Sequence, residues 1–182
     1  MEYETPVFQS FSEIVQHYRS FLEGKIEECP TYGGRLDEES AIILSQLLKI
    51  NAAQIITVNS QPGFNQIVNE VKVKQRAYVD CLMKEETYYK IFDHLVATEF
   101  IILKTQYVHS DEILHQIPVT TVGDIVATSI PIGYCTDMQI ILKNTSLECQ
   151  EIIMRNLCRV IIFDPIWGRT TDLFENIVVT GI

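Results

Sequence analysis

Apolar residues recur at helical spacing from Ser10 to Glu23, where Phe11, Ile14, Val15, Tyr18, Phe21 and Leu22 predict one amphipathic helix. Ser10, with Glu13 three residues on, forms a capping box at its start, and Gly24 ends it. The loop 29–34, Cys-Pro-Thr-Tyr-Gly-Gly, is too rich in turn formers to be regular. A second helix is expected from about Asp37, its cap, to Asn51, with Ile43, Leu44, Leu47 and Leu48 inward and an acidic first turn suited to the helix dipole. The run Gln54–Val58 is short and β-branched and is closed by Pro62-Gly63, so it reads as a buried strand that delivers a loop.

Period two from Val71 to Leu82 predicts a long strand with one wet face. A helix over 85–97 follows, presenting Tyr88, Ile91, Phe92, Leu95 and Val96, and then a strand over 100–108. Residues 118–131 suggest one or two short strands around Gly123. Beyond them the pattern predicts a strand at 139–142, a helix capped by Thr145 and Glu148 that reaches about Leu157, a strand at 159–163 and a last strand at 177–180. Helices alternate with strands only in part. The expected fold is therefore α+β, with a mixed sheet or two adjoining sheets and helices flanking them, in a single domain over residues 1–182.

Composition narrows the classes of function. A hydrophobic content of 47% over 182 residues suffices for one full core. No stretch approaches the length of a membrane span, and the acidic start Met1-Glu2-Tyr3-Glu4 is unlike a signal peptide, so a soluble, cytoplasmic chain is expected. A net charge of −10 with no basic cluster argues against nucleic acid. The five cysteines are scattered without a CxxC pair, and the four histidines are equally dispersed, so reduced core thiols and no metal site are expected.

No nucleophile elbow, P-loop, dinucleotide fingerprint or zinc-protease motif occurs. The polar cluster Thr57, Asn59, Ser60 and Gln61 does stand at the C-terminal end of an apolar strand, where open sheets place ligand groups. The alternative is a turn in which Asn59 and Ser60 bond their own backbone before Pro62. Trp167 reads as a packing anchor or an adenine platform, and His109, Asp111, Glu112 and His115 as a solvated loop before acid–base chemistry.

Leu47-Leu48-Lys49-Ile50-Asn51 followed by Ile55-Ile56-Thr57-Val58-Asn59-Ser60-Gln61-Pro62 resembles the helix-to-strand passage of the C-terminal regulatory domain of eukaryotic methylenetetrahydrofolate reductase, whose strand finishes in Asn-Ser-Gln-Pro. Gln75-Arg76-Ala77-Tyr78 is similar to the next strand there, Gln-Lys-Ala-Tyr, and Glu86-Thr87 to the start of its following helix. The resemblance runs from about Leu36 to Ala97. Small stand-alone bacterial proteins with a Ser-Gln-Pro-Gly version of the motif look similar too.

That resemblance implies a domain binding S-adenosylmethionine or S-adenosylhomocysteine. The family's ligand-contacting Glu-Thr pair falls on Glu39 and Ser40, and its strand-end Thr and Ser on Thr57 and Ser60. Gln61 would brace the turn or touch ligand, and Thr120 or Thr121 is the nearest candidate for a ligand threonine of the later strands. Glu39 and Ser40 have a plainer alternative as residues favoured at a helix start. The family's insertion after Ser-Gln-Pro is shortened here to residues 63–74, and reductase activity is not expected from this portion. Three functions follow as expectations: a stand-alone adenosyl-ligand sensor; an interaction or structural protein that kept the fold, with a protein partner; or a small enzyme on an S-adenosyl or nucleoside-like substrate, with Glu39 as its acid or base.

Overall fold

The computed structural model describes residues 7–31, 33–106, 115–132 and 136–179. Helix α1 spans Phe11–Leu22, and Ser10 caps it by accepting the Glu13 N–H. The other half of the expected box reaches one residue further back, where Glu13 accepts the Gln9 N–H at 2.8 Å. Gly24, at φ +71°, turns the chain out of the helix, as its position implies. The second helix is split into a 3₁₀ segment at Glu38–Ile43 and α2 at Leu44–Ala52. Asp37 stands before the 3₁₀ segment without capping it through its side chain.

Strands β1 (Ile55–Gln61), β4 (Tyr78–Lys84), β8 (Leu157–Phe163) and β5 (Ile101–Gln106) form one antiparallel sheet in the order β1-β4-β8-β5. A second antiparallel sheet has the order β2-β3-β6-β7, from β2 (Phe64–Val68), β3 (Val71–Gln75), β6 (His115–Val122) and β7 (Ile125–Ile132). The fold is α+β. The single long strand expected over 71–82 is instead β3 and β4 in different sheets, with the chain crossing between them at Arg76-Ala77. Alternation looks the same on both sides of that crossing, so periodicity alone does not mark it.

Two more expectations are corrected. Residues 139–142 lie in helix α4 (Thr136–Lys143), and residues 177–179 end helix α6 (Asp172–Val179). Both are short apolar runs, for which length and β-branching do not separate strand from helix. Helices α3 (Glu85–Leu95) and α5 (Leu147–Asn156) are as expected, although neither Thr145 nor Glu148 caps α5, and Val96 is exposed. Tyr107, Val108, Cys135 and Thr180 lie outside the described residues.

The main core lies on the helix side of the first sheet, where Ile14, Ile43, Leu47, Ile55, Met83, Ile91 and Phe174 are essentially inaccessible to solvent. A smaller core of Tyr78, Ile161 and Phe163 from the first sheet and Ile117, Val119 and Ile130 from the second joins the two sheets. The end of β1 and its preceding helix thus stand where helical layer, first sheet and second sheet meet. No helix among the described residues is long and apolar enough to cross a membrane.

Candidate functional site

Residues 55–58 of β1 are buried, as a central apolar run must be, and the register slips between Thr57 and Asn59. This bulge lets Thr57 point toward α2 while Asn59 comes opposite Asp80 on β4. Asn51, wholly buried at the end of α2, donates from Nδ2 to Thr57 Oγ1 at 2.7 Å and to Leu47 O at 2.9 Å. An asparagine that ends a leucine-rich helix six residues before a strand threonine therefore fixes the helix against the strand. Its Oδ1 is buried without a hydrogen-bond partner among the described residues.

Thr57, Ser60 and Ser40 line one cavity, together with Asp37, Asn59 and Cys29. Its volume is about 30 Å³. That is room for a water molecule, against the several hundred Å³ of a typical ligand pocket. Phe21, Leu22 and Leu36 also line it. The same three residues border an open groove of about 460 Å³ that runs along Gly24, Ile26 and Arg35.

Glu39, Gln61 and Thr120 come together in a second cluster, and the link is Gln75. Its Nε2 donates to Glu39 Oε2 at 3.1 Å and to Pro62 O at 2.8 Å. Thr120 Oγ1 donates to Gln75 Oε1 at 3.3 Å and accepts from Gln61 Nε2 at 3.4 Å. Gln61 thus braces the crossing of the two sheets. Of the two threonines, Thr120 faces this cluster, whereas Thr121 pairs with Lys74 and lies on the opposite face of the second sheet.

Tyr78 connects the clusters, its hydroxyl beside Asn59 with Asp80, Glu39 and Asp37 nearby. Burial, then these carboxylates, raise its phenol far above the ordinary range, so it is a neutral donor. Beneath it Asp80 is engaged by Arg159 through three contacts of 2.6 to 3.2 Å. The cation closest to hand is therefore already paired, and the other charged side chains named in the two clusters, Asp37 and Glu39, are acidic.

Gln75, Tyr78, Asn51 and Asn59 complete the arrangement around the expected residues. Gln75 and Tyr78 belong to the Gln-Arg-Ala-Tyr stretch, which reads as strand rather than site, so their roles follow only from the crossing at Ala77. Arg76 from that stretch lies over Trp167, its guanidinium carbon 4.3 Å from the ring centroid, so one face of the indole is already occupied. His115 is exposed at the start of β6, and His109, Asp111 and Glu112 lie outside the described residues.

The groups assembled here are hydroxyls and amides that donate and accept, and carboxylates that accept. Residues 9–180 match the model of the family described as Domain of unknown function (DUF6919). The chain belongs to the DUF6919 family. No curated protein matches it. In this member of the DUF6919 family the matched region takes in both sheets and every residue of the site.

Proposed function

We propose that this DUF6919 protein is a cytoplasmic sensor domain that binds S-adenosylmethionine or S-adenosylhomocysteine at the C-terminal end of β1. The observation that carries the reading is convergence. Six of the seven residues that the resemblance marks, from three separate stretches of sequence, fall into two adjoining clusters, Thr121 being the exception: Ser40, Thr57 and Ser60 around one cavity, and Glu39, Gln61 and Thr120 around Gln75. Glu39 would accept from ribose hydroxyls or the ligand's ammonium group, and the hydroxyls would serve the adenine edge or the amino-acid end.

A cavity of about 30 Å³ requires the segment 24–37 to move before such a ligand can enter. Among its described residues, Cys29 N to Gly34 O and Gly33 N to Cys29 O close on the segment itself, while Lys25 N and Ile26 N hold its start to Ser20 O at the end of α1. Its displacement would merge the cavity with the neighbouring groove.

Calorimetric titration with each ligand tests the reading. Saturable binding, weakened about tenfold by Glu39→Ala or Ser60→Ala, is expected. No heat and no thermal shift at millimolar ligand would remove it. Thr57→Ala is a poorer probe, because it also leaves the Asn51 amide short of an acceptor.

A second reading, an interaction protein that keeps the architecture without the ligand, is favoured by the tightness of the same cavity and by exposed aliphatic side chains on the second sheet. Absence of adenosyl binding with retained association would select it.

A further inference from the structure

The second sheet is covered over only part of its length. Near Thr120 and Gln75 its inner face meets Gln61 and Pro62, and Ile117, Val119 and Ile130 pack on the first sheet. Toward the two hairpin tips nothing among the described residues covers that face. There Val68 pairs with Val71, and on the neighbouring rung Gln66, Val73, Val122 and Ile125 lie side by side, so the register gathers aliphatic side chains from all four strands onto two adjacent rungs, with Gln66 their one polar member. Val68, Val71, Val122 and Ile125 are 43%, 41%, 42% and 74% exposed. They bare on the order of a few hundred Å², the size at which an apolar patch marks a contact surface.

Charge says what fits there. The cluster itself carries none, since Lys72 and Lys74 alternate onto the opposite face. Around the tips, Glu70 and Asp124 in the turns balance those two lysines. On a chain of net charge −10, this neutral end is where a second copy approaches without net repulsion. A basic partner would instead be drawn to the acidic remainder.

We propose that two copies of this chain associate through this overhang, the cluster of Val68, Val71, Val73, Val122 and Ile125 of one packing on the same cluster of the other about a twofold axis, as the two sheets within each copy already do. The inference is independent of the ligand reading. The area is smaller than the roughly 800 Å² per partner of a standard interface, so the dimer is a weak, concentration-dependent one. Salt strengthens it, because screening relieves repulsion between two acidic bodies while leaving apolar contact intact.

Sedimentation equilibrium of the full chain, from micromolar to sub-millimolar concentration and at low and high salt, reads this directly. The mass should rise from 20.9 kDa toward twice that value with concentration, and more steeply at high salt. Ile125→Glu, at an exposed position, should weaken association about tenfold or more with the melting temperature unchanged. Val71→Thr, milder in the strand, should weaken it less but measurably. A monomer at every concentration would overturn the proposal and leave the face to a different protein, and dimers unaffected by both variants would equally overturn it.

Discussion

Arg159 on β8 grips Asp80 on β4 between the two sheets, Nε 2.9 Å from Oδ1 and Nη2 2.6 Å from Oδ2, with side chains 7% and 6% exposed. Burial pushes the Asp80 carboxyl up and Arg159 draws it back, so Asp80 depends on Arg159 to remain charged there. Asp80→Asn, which leaves the guanidinium without its carboxylate, should cost about 3–5 kcal/mol in urea denaturation. The double variant Asp80→Leu with Arg159→Met should recover most of that loss. A single variant within about 1 kcal/mol of the parent would show the pair to be solvated in solution.

The buried thiols give a pH dependence of definite sign. Burial pushes Cys158 up to about 11 and raises Cys81 well above its ordinary value. The folded chain therefore holds protons that the unfolded chain releases above the ordinary thiol value of 9.0. Stability from these groups is intact below that value and is lost as pH rises through the window to about 11. Peptide mapping after alkylation near pH 8 should find Cys81 and Cys158 modified only as fast as the chain unfolds. Labelling of either in native protein, faster than global unfolding, would show the first sheet to open locally.

How much of this was legible follows from particular residues. Helix α1 could be read because Ser10, Glu13 and Gly24 state its ends and six apolar positions state its face. The cavity residues could be named because Thr57 and Ser60 end a run too apolar to be a loop. Gln75 could not, because its partners Glu39 and Thr120 are 36 and 45 residues away and meet only once the chain changes sheets at Ala77. Helix α6 was hidden for a different reason: its end, Ile177-Val178-Val179, is β-branched, and packing of Leu173, Phe174 and Ile177 into the main core overrides that local preference.

Two backbone positions should respond in opposite directions. A Cβ on Gly63 would stand 2.1 Å from Arg169 O and 3.0 Å from Ala77 N. Gly63→Ala should therefore cost about 2 kcal/mol or more, since neither contact is the end of a flexible side chain. In the β2–β3 turn, Asn69 at φ 49° and Glu70 at φ 67° both occupy the left-handed region. Glu70→Gly, which makes this an Asn-Gly turn, should stabilise the chain by about 1 kcal/mol. Paired thermal melts check both, and a stabilising Gly63→Ala would show the crossing between the sheets to be looser than described.

If the adenosyl reading holds, the site's charge should select between its two ligands. S-adenosylmethionine carries a sulfonium cation that S-adenosylhomocysteine lacks, and both carry the same ammonium and carboxylate. In the two clusters Asp37 and Glu39 are acidic, Tyr78 is neutral and Arg159 is already bound to Asp80. The extra positive charge should thus tighten binding severalfold at low ionic strength, with the gap narrowing as salt is added, since both carboxylates are reached by solvent. Glu39→Gln, which keeps the shape and an acceptor, should shrink the same gap, weakening S-adenosylmethionine more than S-adenosylhomocysteine. Equal affinities for the two ligands at low salt, with Glu39→Gln weakening both alike, would mean that Glu39 meets the ribose rather than the charged end, and that the ligand lies in the opposite sense along β1.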